Sequence, residues 1–160
     1  MKEKLSAEAY FASLPKKRMG AGVLFFNEEQ KVLLVKMSYK EGWGIPGGVV
    51  DENESPLQGA VREVKEELNL TIFQEVLSLV CLEYISTQGS KTEALQFIYY
   101  GGTLSSEQIQ SITLQEEELT EYRFFEKSEA IPVLSNPKLG NRVQTSFEAI
   151  EKNTFYYIES

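Results

Sequence analysis

Apolar residues in this chain recur with two periods. Residues 21–26 form an unbroken apolar run of strand length, residues 27–30 are a polar turn, and residues 31–37 form a second apolar stretch, so the segment predicts a hairpin. Leu57, Ala60, Val61, Val64 and Leu68 recur at helical spacing within 55–68. Ser55 suits the N-cap, Pro56 the first helical position and Gln58 the third, and Asn69 stands where a C-cap residue belongs. A shorter helix is predicted over 6–14, with Ser6 as cap and Leu5, Ala9, Tyr10 and Leu14 as its apolar stripe. Pro15 and the basic run Lys16-Lys17-Arg18 end it. Residues 45–50 hold Pro46-Gly47-Gly48 and read as too rich in breakers for a regular strand. Two long strand-like runs follow at 73–86 and 93–104, joined by a polar turn. A helical turn is expected at 106–112, a short strand at 121–126, and a last helix at 141–152 before the aromatic tail Phe155-Tyr156-Tyr157. Strands and helices are mixed without a regular parallel order. The expected class is α/β or α+β, with helices covering one sheet.

The length of 160 residues suits a single domain spanning 1–160. The charge is 16 basic against 24 acidic residues, a net −8, and Asp51 is the one aspartate. This balance argues against binding long nucleic acid, which needs a basic surface. It leaves open a small phosphorylated substrate that arrives with a cation. The chain contains no His, which removes Ser-His-Asp catalysis and imidazole zinc sites. Its single cysteine, Cys81, cannot form an internal disulfide, so a reducing cytoplasm fits. Any metal must therefore be held by oxygen, which points to Mg²⁺, Mn²⁺ or Ca²⁺. No apolar run approaches membrane-span length and the first residues lack a signal-peptide core, so no membrane partner is expected.

The chemistry concentrates on the polar face of the 55–68 helix. Glu63, Glu66 and Glu67 lie three and four residues apart and share one surface. Their mutual repulsion, and the unfavourable dipole at the helix end, each cost a few tenths to about 1 kcal/mol. A bound divalent cation reverses both. The same pattern also describes a solvated acidic face, with Arg62 and Glu66 as an ordinary i,i+4 pair. Ahead of the helix, Gly47-Gly48 allows close backbone approach and offers carbonyl oxygens. Glu54 lies just before the cap, within reach of Arg62.

Taken together, Gly48, Glu54, Arg62-Glu63, Val64, Glu66-Glu67 and Leu70 resemble the signature of the Nudix hydrolase family at matching spacing. Asn69 replaces the usual Gly, a capping role that Asn can fill. Trp43-Gly44-Ile45-Pro46 resembles the lead-in to that signature. The resemblance implies an α/β/α sandwich around a mixed sheet. It implies Mg²⁺-dependent (or Mn²⁺-dependent) hydrolysis of the pyrophosphate bond in a nucleoside diphosphate linked to another group. It makes Glu63, Glu66, Glu67 and the Gly48 carbonyl the metal ligands, with Glu54 and Arg62 as orienting partners. Glu63 is the candidate to orient or deprotonate the attacking water. One further acid after the signature is often a ligand, and Glu93, Glu116, Glu117 or Glu118 can supply it. Family members are often homodimers.

Substrate markers are absent. Ser86 and Gln88 occupy positions where subgroups carry a proline and a tyrosine, and the long tryptophan-proline motif is missing. Tyr39, Trp43, Tyr84, Phe97 and Tyr99 are aromatic candidates for stacking on a base, and core packing is the alternative for each. Two other functions compete with the nucleotide hydrolase. One is a non-catalytic nucleotide sensor on the same fold, and the other is a hydrolase of a non-nucleotide diphosphate.

Overall fold

A computed structural model describes residues 6–160, so Leu5 of the predicted first stripe lies outside the described residues. The centre of the fold is strand β1 (Arg18–Phe26). Its apolar residues are buried on both faces: Ala21, Val23 and Phe25 enter one core, Leu24 and Phe26 the other. Such a continuous apolar run is the signature of a strand covered on both sides.

The predicted hairpin forms, but only beside its turn. β2 (Val32–Met37) meets β1 in register at Phe26 and Val32, and the two strands then part. β1 continues parallel to β6 (Ala94–Thr103) and antiparallel to β4 (Gly47–Val49). β2 instead pairs with β3 (Trp43–Gly44) and β7 (Leu119–Phe125). The breaker-rich segment thus does include a three-residue strand. Gly47, with φ of 141°, fits there because a Cβ would fall 2.2 Å from the Ala21 carbonyl oxygen. β5 (Ser78–Ile85) runs antiparallel to β6 and parallel to β8 (Tyr156–Glu159). The result is one mixed eight-stranded sheet.

Helices cover both faces. α2 (Pro56–Leu68) carries the full capping box at Ser55 and Gln58, and buries Ala60, Val64 and Leu68 against β1. Asn69 ends it in the left-handed region at φ 56°, a conformation Asn tolerates. The opposite face is covered by α4 (Lys127–Val133) and α5 (Pro137–Glu151), with Val143, Phe147 and Ala149 in the second core. α3 (Ser106–Gln110) is the expected helical turn. α1 (Ala7–Ser13) has the expected Ser6 cap, but the described residues of its expected apolar stripe, Ala9, Tyr10 and Leu14, all face solvent, as does Phe11. Among the described residues, no helix is long and apolar enough to cross a membrane.

Candidate active site

The helix α2 is fixed at both ends before it contributes any side chain. At its N-terminus Ser55 Oγ accepts from Gln58 N at 3.1 Å while Gln58 Oε1 accepts from Ser55 N at 2.9 Å. At its C-terminus the loop 113–118 docks on it: Thr113 N donates to Leu68 O at 3.1 Å and Gln115 N to Glu67 O at 3.2 Å. These bonds satisfy carbonyls that a helix end would otherwise leave unpaired.

Arg62 organises the polar face. Its Nε donates to Glu54 Oε1 at 2.9 Å and its Nη2 to Glu54 Oε2 at 3.0 Å, a forked pair. Nη2 also donates to the Val49 carbonyl at 2.9 Å, and Nη1 donates to Glu63 Oε1 at 3.0 Å and Glu66 Oε2 at 2.9 Å. One guanidinium thus ties the glycine loop, the residue before the cap and two turns of helix together. The Arg62 pairing, helped by the Asp51 N–H, holds the Glu54 carboxyl below its ordinary range.

Glu67 behaves differently. It is only 6% exposed, and its Oε2 accepts from Gly47 N at 2.8 Å. Burial, against that one hydrogen bond and with further repulsion from Glu63, Glu118 and Glu66, pushes its pKa up to about 8. Burial also raises Glu63, opposed by Arg62. Gly48 lies directly against Glu63: a Cβ at 48 would fall 2.4 Å from Glu63 Oε1. The backbone of the loop and the carboxylate therefore face each other with no side chain between them.

The residues expected to act together are thus brought together around Arg62 and Gly47-Gly48. Their carboxylates are not gathered around one point; among the described residues no three acidic or other ligating side chains form a ready cage for a metal. The donor set nonetheless fits a hard divalent cation. It consists of oxygens only, it carries uncompensated repulsion at Glu67, and Gly48 leaves open the space that a Cβ would fill. Of the four downstream acids, Glu118 is the one whose charge raises both Glu63 and Glu67. Glu93 is engaged elsewhere, with Lys17 Nζ at 2.7 Å and the Tyr84 hydroxyl.

A cleft of about 270 Å³ opens beside Gly47 and Gly48, on the α5 side of the sheet. None of the five aromatic stacking candidates lines it. Trp43 packs edge-on against Phe125, Tyr99 lies in the core, and Tyr39 is exposed. Arg142, Lys40 and Gln96 line the cleft instead, and none was singled out in the sequence. Arg142 carried one signal: it lies on a helix with no acid three or four residues away, in positions 138, 139, 145 and 146.

Comparisons with known proteins bring out relatives in sequence and in fold. A stretch of 48 residues is 50% identical to a putative 8-oxo-dGTP diphosphatase of Bacillus subtilis (strain 168), covering 30% of this chain and 32% of that protein. A stretch of 53 residues is 42% identical to an RNA pyrophosphohydrolase of Hydrogenovibrio crunogenus, covering 33% of this chain and 32% of that protein. The chain therefore matches about a third of the length of these relatives. Among solved structures, the NUDIX domain of Shewanella oneidensis NrtR, complexed with ADP ribose, superposes with a TM-score of 0.68 at 19% identity, covering 94% of this chain and 100% of that one. A C. elegans Ap4A hydrolase gives 0.62 at 24% identity, covering 84% and 98%. At these identities the likeness is one of fold. The model of the NUDIX domain matches residues 16–146, most of the chain, and with it the chain belongs to the NUDIX family.

Proposed function

We propose that this protein is a divalent-cation-dependent hydrolase that cleaves a phosphoanhydride bond in a small nucleoside diphosphate derivative. The observation that carries the reading is the approach of bare Gly48 backbone to Glu63 on a helix face that also presents Glu66 and Glu67. Glu63, Glu66, Glu67 and the Gly48 carbonyl hold the cation, Mg²⁺ or Mn²⁺. When bound, that cation supplies charge neutralisation for the diphosphate and a more acidic water. Arg62, fixed by Glu54, sets the orientation of the Glu63 and Glu66 carboxylates. Glu63 is half-buried with a raised pKa, which suits a group that orients or takes a proton from the attacking water. The family and the hydrolase and diphosphatase names of its relatives support the reaction class.

The test is a panel of nucleoside diphosphate derivatives incubated with Mg²⁺ and followed by phosphorus NMR. Cleavage that stops on chelation is expected. Tight nucleotide binding with no turnover of any member would overturn the reading in favour of a sensor. Gly48→Ala adds a methyl against Glu63 Oε1 and is expected to cut turnover about a hundredfold, as a displacement of about 1 Å at the reacting groups does. The thermal midpoint should change little, because the displaced atoms are the end of a flexible side chain; steady-state kinetics beside a melting curve checks both.

A further inference from the structure

The cleft beside Gly47 and Gly48 has a charge opposite to that of the molecule. The chain carries a net −8, yet Arg18, Lys40 and Arg142 line this cleft and no carboxylate does. Arg18 donates to the hydroxyl and carbonyl of Thr92, both neutral acceptors, so its charge is not cancelled there. Lys40 is exposed and forms no ion pair among the described residues. Arg142 differs, being only 8% exposed. Its Nε and Nη2 both contact Oε2 of Glu83, a residue with no exposure at all on strand β5. That leaves Nη1 without a protein acceptor among the described residues, on a side chain that borders the cleft.

The rest of the wall fits the same ligand. Gln96 pairs in register with Glu83 and lies over Gly20, where a Cβ would fall 2.6 Å from its Oε1. Gln96 thus lines the cleft together with Arg142. No aromatic side chain offers a stacking surface. A nucleobase is normally gripped by stacking. A phosphate is gripped by lysine, arginine and amide donors.

We propose that this cleft is a specificity subsite for a phosphate on the arm of the substrate beyond the cleaved bond, read by Lys40 and Arg142. This rests on the hydrolase reading for which side of the substrate enters, and on the cleft alone for what binds. Glu83 is a positioning residue: it anchors one edge of the Arg142 guanidinium and leaves the other to the ligand. The phosphate can belong to a longer polyphosphate chain or to a phosphorylated sugar, and both present the same oxygens.

Two measurements test it. In chelator, with no divalent cation, calorimetry should show inorganic tripolyphosphate binding the whole chain, more weakly as salt rises. Lys40→Gln, an exposed substitution, should weaken that binding about tenfold, the loss expected for one charged hydrogen bond. The double variant E83Q/R142Q, which removes both charges of the buried pair and leaves no isolated one, should do the same or more. The second measurement compares kcat/KM for three substrates: a nucleoside triphosphate, a nucleoside diphosphate linked to a phosphorylated sugar, and one linked to the unphosphorylated sugar. At least one phosphorylated arm should be preferred, and Lys40→Gln should reduce that preference about tenfold while the neutral arm is little changed. Which phosphorylated arm is preferred identifies the source. Tripolyphosphate affinity and substrate preference that both survive in the two variants would overturn the subsite. Tripolyphosphate binding that responds to the variants, with no substrate turned over, would instead overturn the hydrolase reading and leave the subsite standing.

Discussion

Glu67→Gln is expected to abolish most turnover and, at the same time, to stabilise the cation-free protein at alkaline pH. The first effect follows from removing one charged oxygen from the set proposed to hold the cation. Losses on the order of 10²–10³-fold are usual when one preorganised electrostatic group is deleted. The second follows from burial. The Glu67 pKa is about 8 in the folded chain, against an ordinary value of 4.5. Because the folded state binds this proton more tightly than the unfolded state, the contribution of Glu67 is fully present below about pH 4.5 and is lost as pH climbs towards 8. The ionised carboxylate then costs on the order of a few kcal/mol. Gln keeps an acceptor for the Gly47 N–H, 2.8 Å away in the parent, without that cost. In chelator at pH 9, the variant should melt about 5–10 °C above the parent, and at pH 4.5 the two should converge. Added Mg²⁺ should raise the melting temperature of the parent at pH 9 and leave the variant nearly unmoved. Equal melting curves at pH 9 would show that burial of Glu67 is not the source of its instability.

The same residue shows what a sequence can and cannot reveal. The helix was legible because several local signals agree: the capping pair Ser55 and Gln58, Pro56 at the first position, and a clean apolar stripe ending at Asn69. The forked pair of Glu54 with Arg62 was legible as well, since both belong to one helix and its approach. That Glu67 turns inward to Gly47 was not, because the contact crosses from helix to loop and depends on how β4 docks against β1. Glu118 reaches the site by the folding-back of 113–118 on the helix end, which no local pattern encodes.

Elsewhere two differences, in the hairpin and in the C-terminal tail, come from partners distant in sequence. The hairpin at 21–37 reads as two paired strands, yet β1 and β2 separate beyond the Phe26–Val32 pair next to the turn because each finds a longer partner, β6 and β7. The aromatic tail that begins at Phe155 carries no local strand signal and becomes β8 by pairing in parallel with β5. α4 is short, begins without a side-chain cap and contains Pro132, so it carries no start signal. α5 did carry one. Asn136 Oδ1 accepts from Leu139 N at 2.9 Å and Pro137 fills the first turn, which places the helix start ahead of the expected residue 141.

Arg142→Ala is expected to be the most destabilising of the single changes considered. Arg142 and Glu83 lie 59 positions apart, on α5 and β5, and their contact joins the helix layer to the sheet. Glu83 has no exposure, and its Oε1 is already sealed from solvent without a hydrogen-bond partner. Removing the guanidinium leaves a buried carboxylate with nothing to answer either oxygen. Breaking a buried pair from one side costs about 3–5 kcal/mol. For a domain of this size that corresponds to a fall of roughly 10 °C or more in the melting temperature. Replacing both members with neutral residues of similar shape removes the charge and its demand together, so E83Q/R142Q should lose much less than Arg142→Ala. The pair therefore acts through a difference that a double-mutant cycle reads directly: chemical denaturation of the parent, Glu83→Gln, Arg142→Gln and the double variant. Strong non-additivity, with the double variant more stable than Arg142→Gln, is the expected result. Additive losses would mean that Glu83 tolerates isolation, and that something other than Arg142 balances its charge.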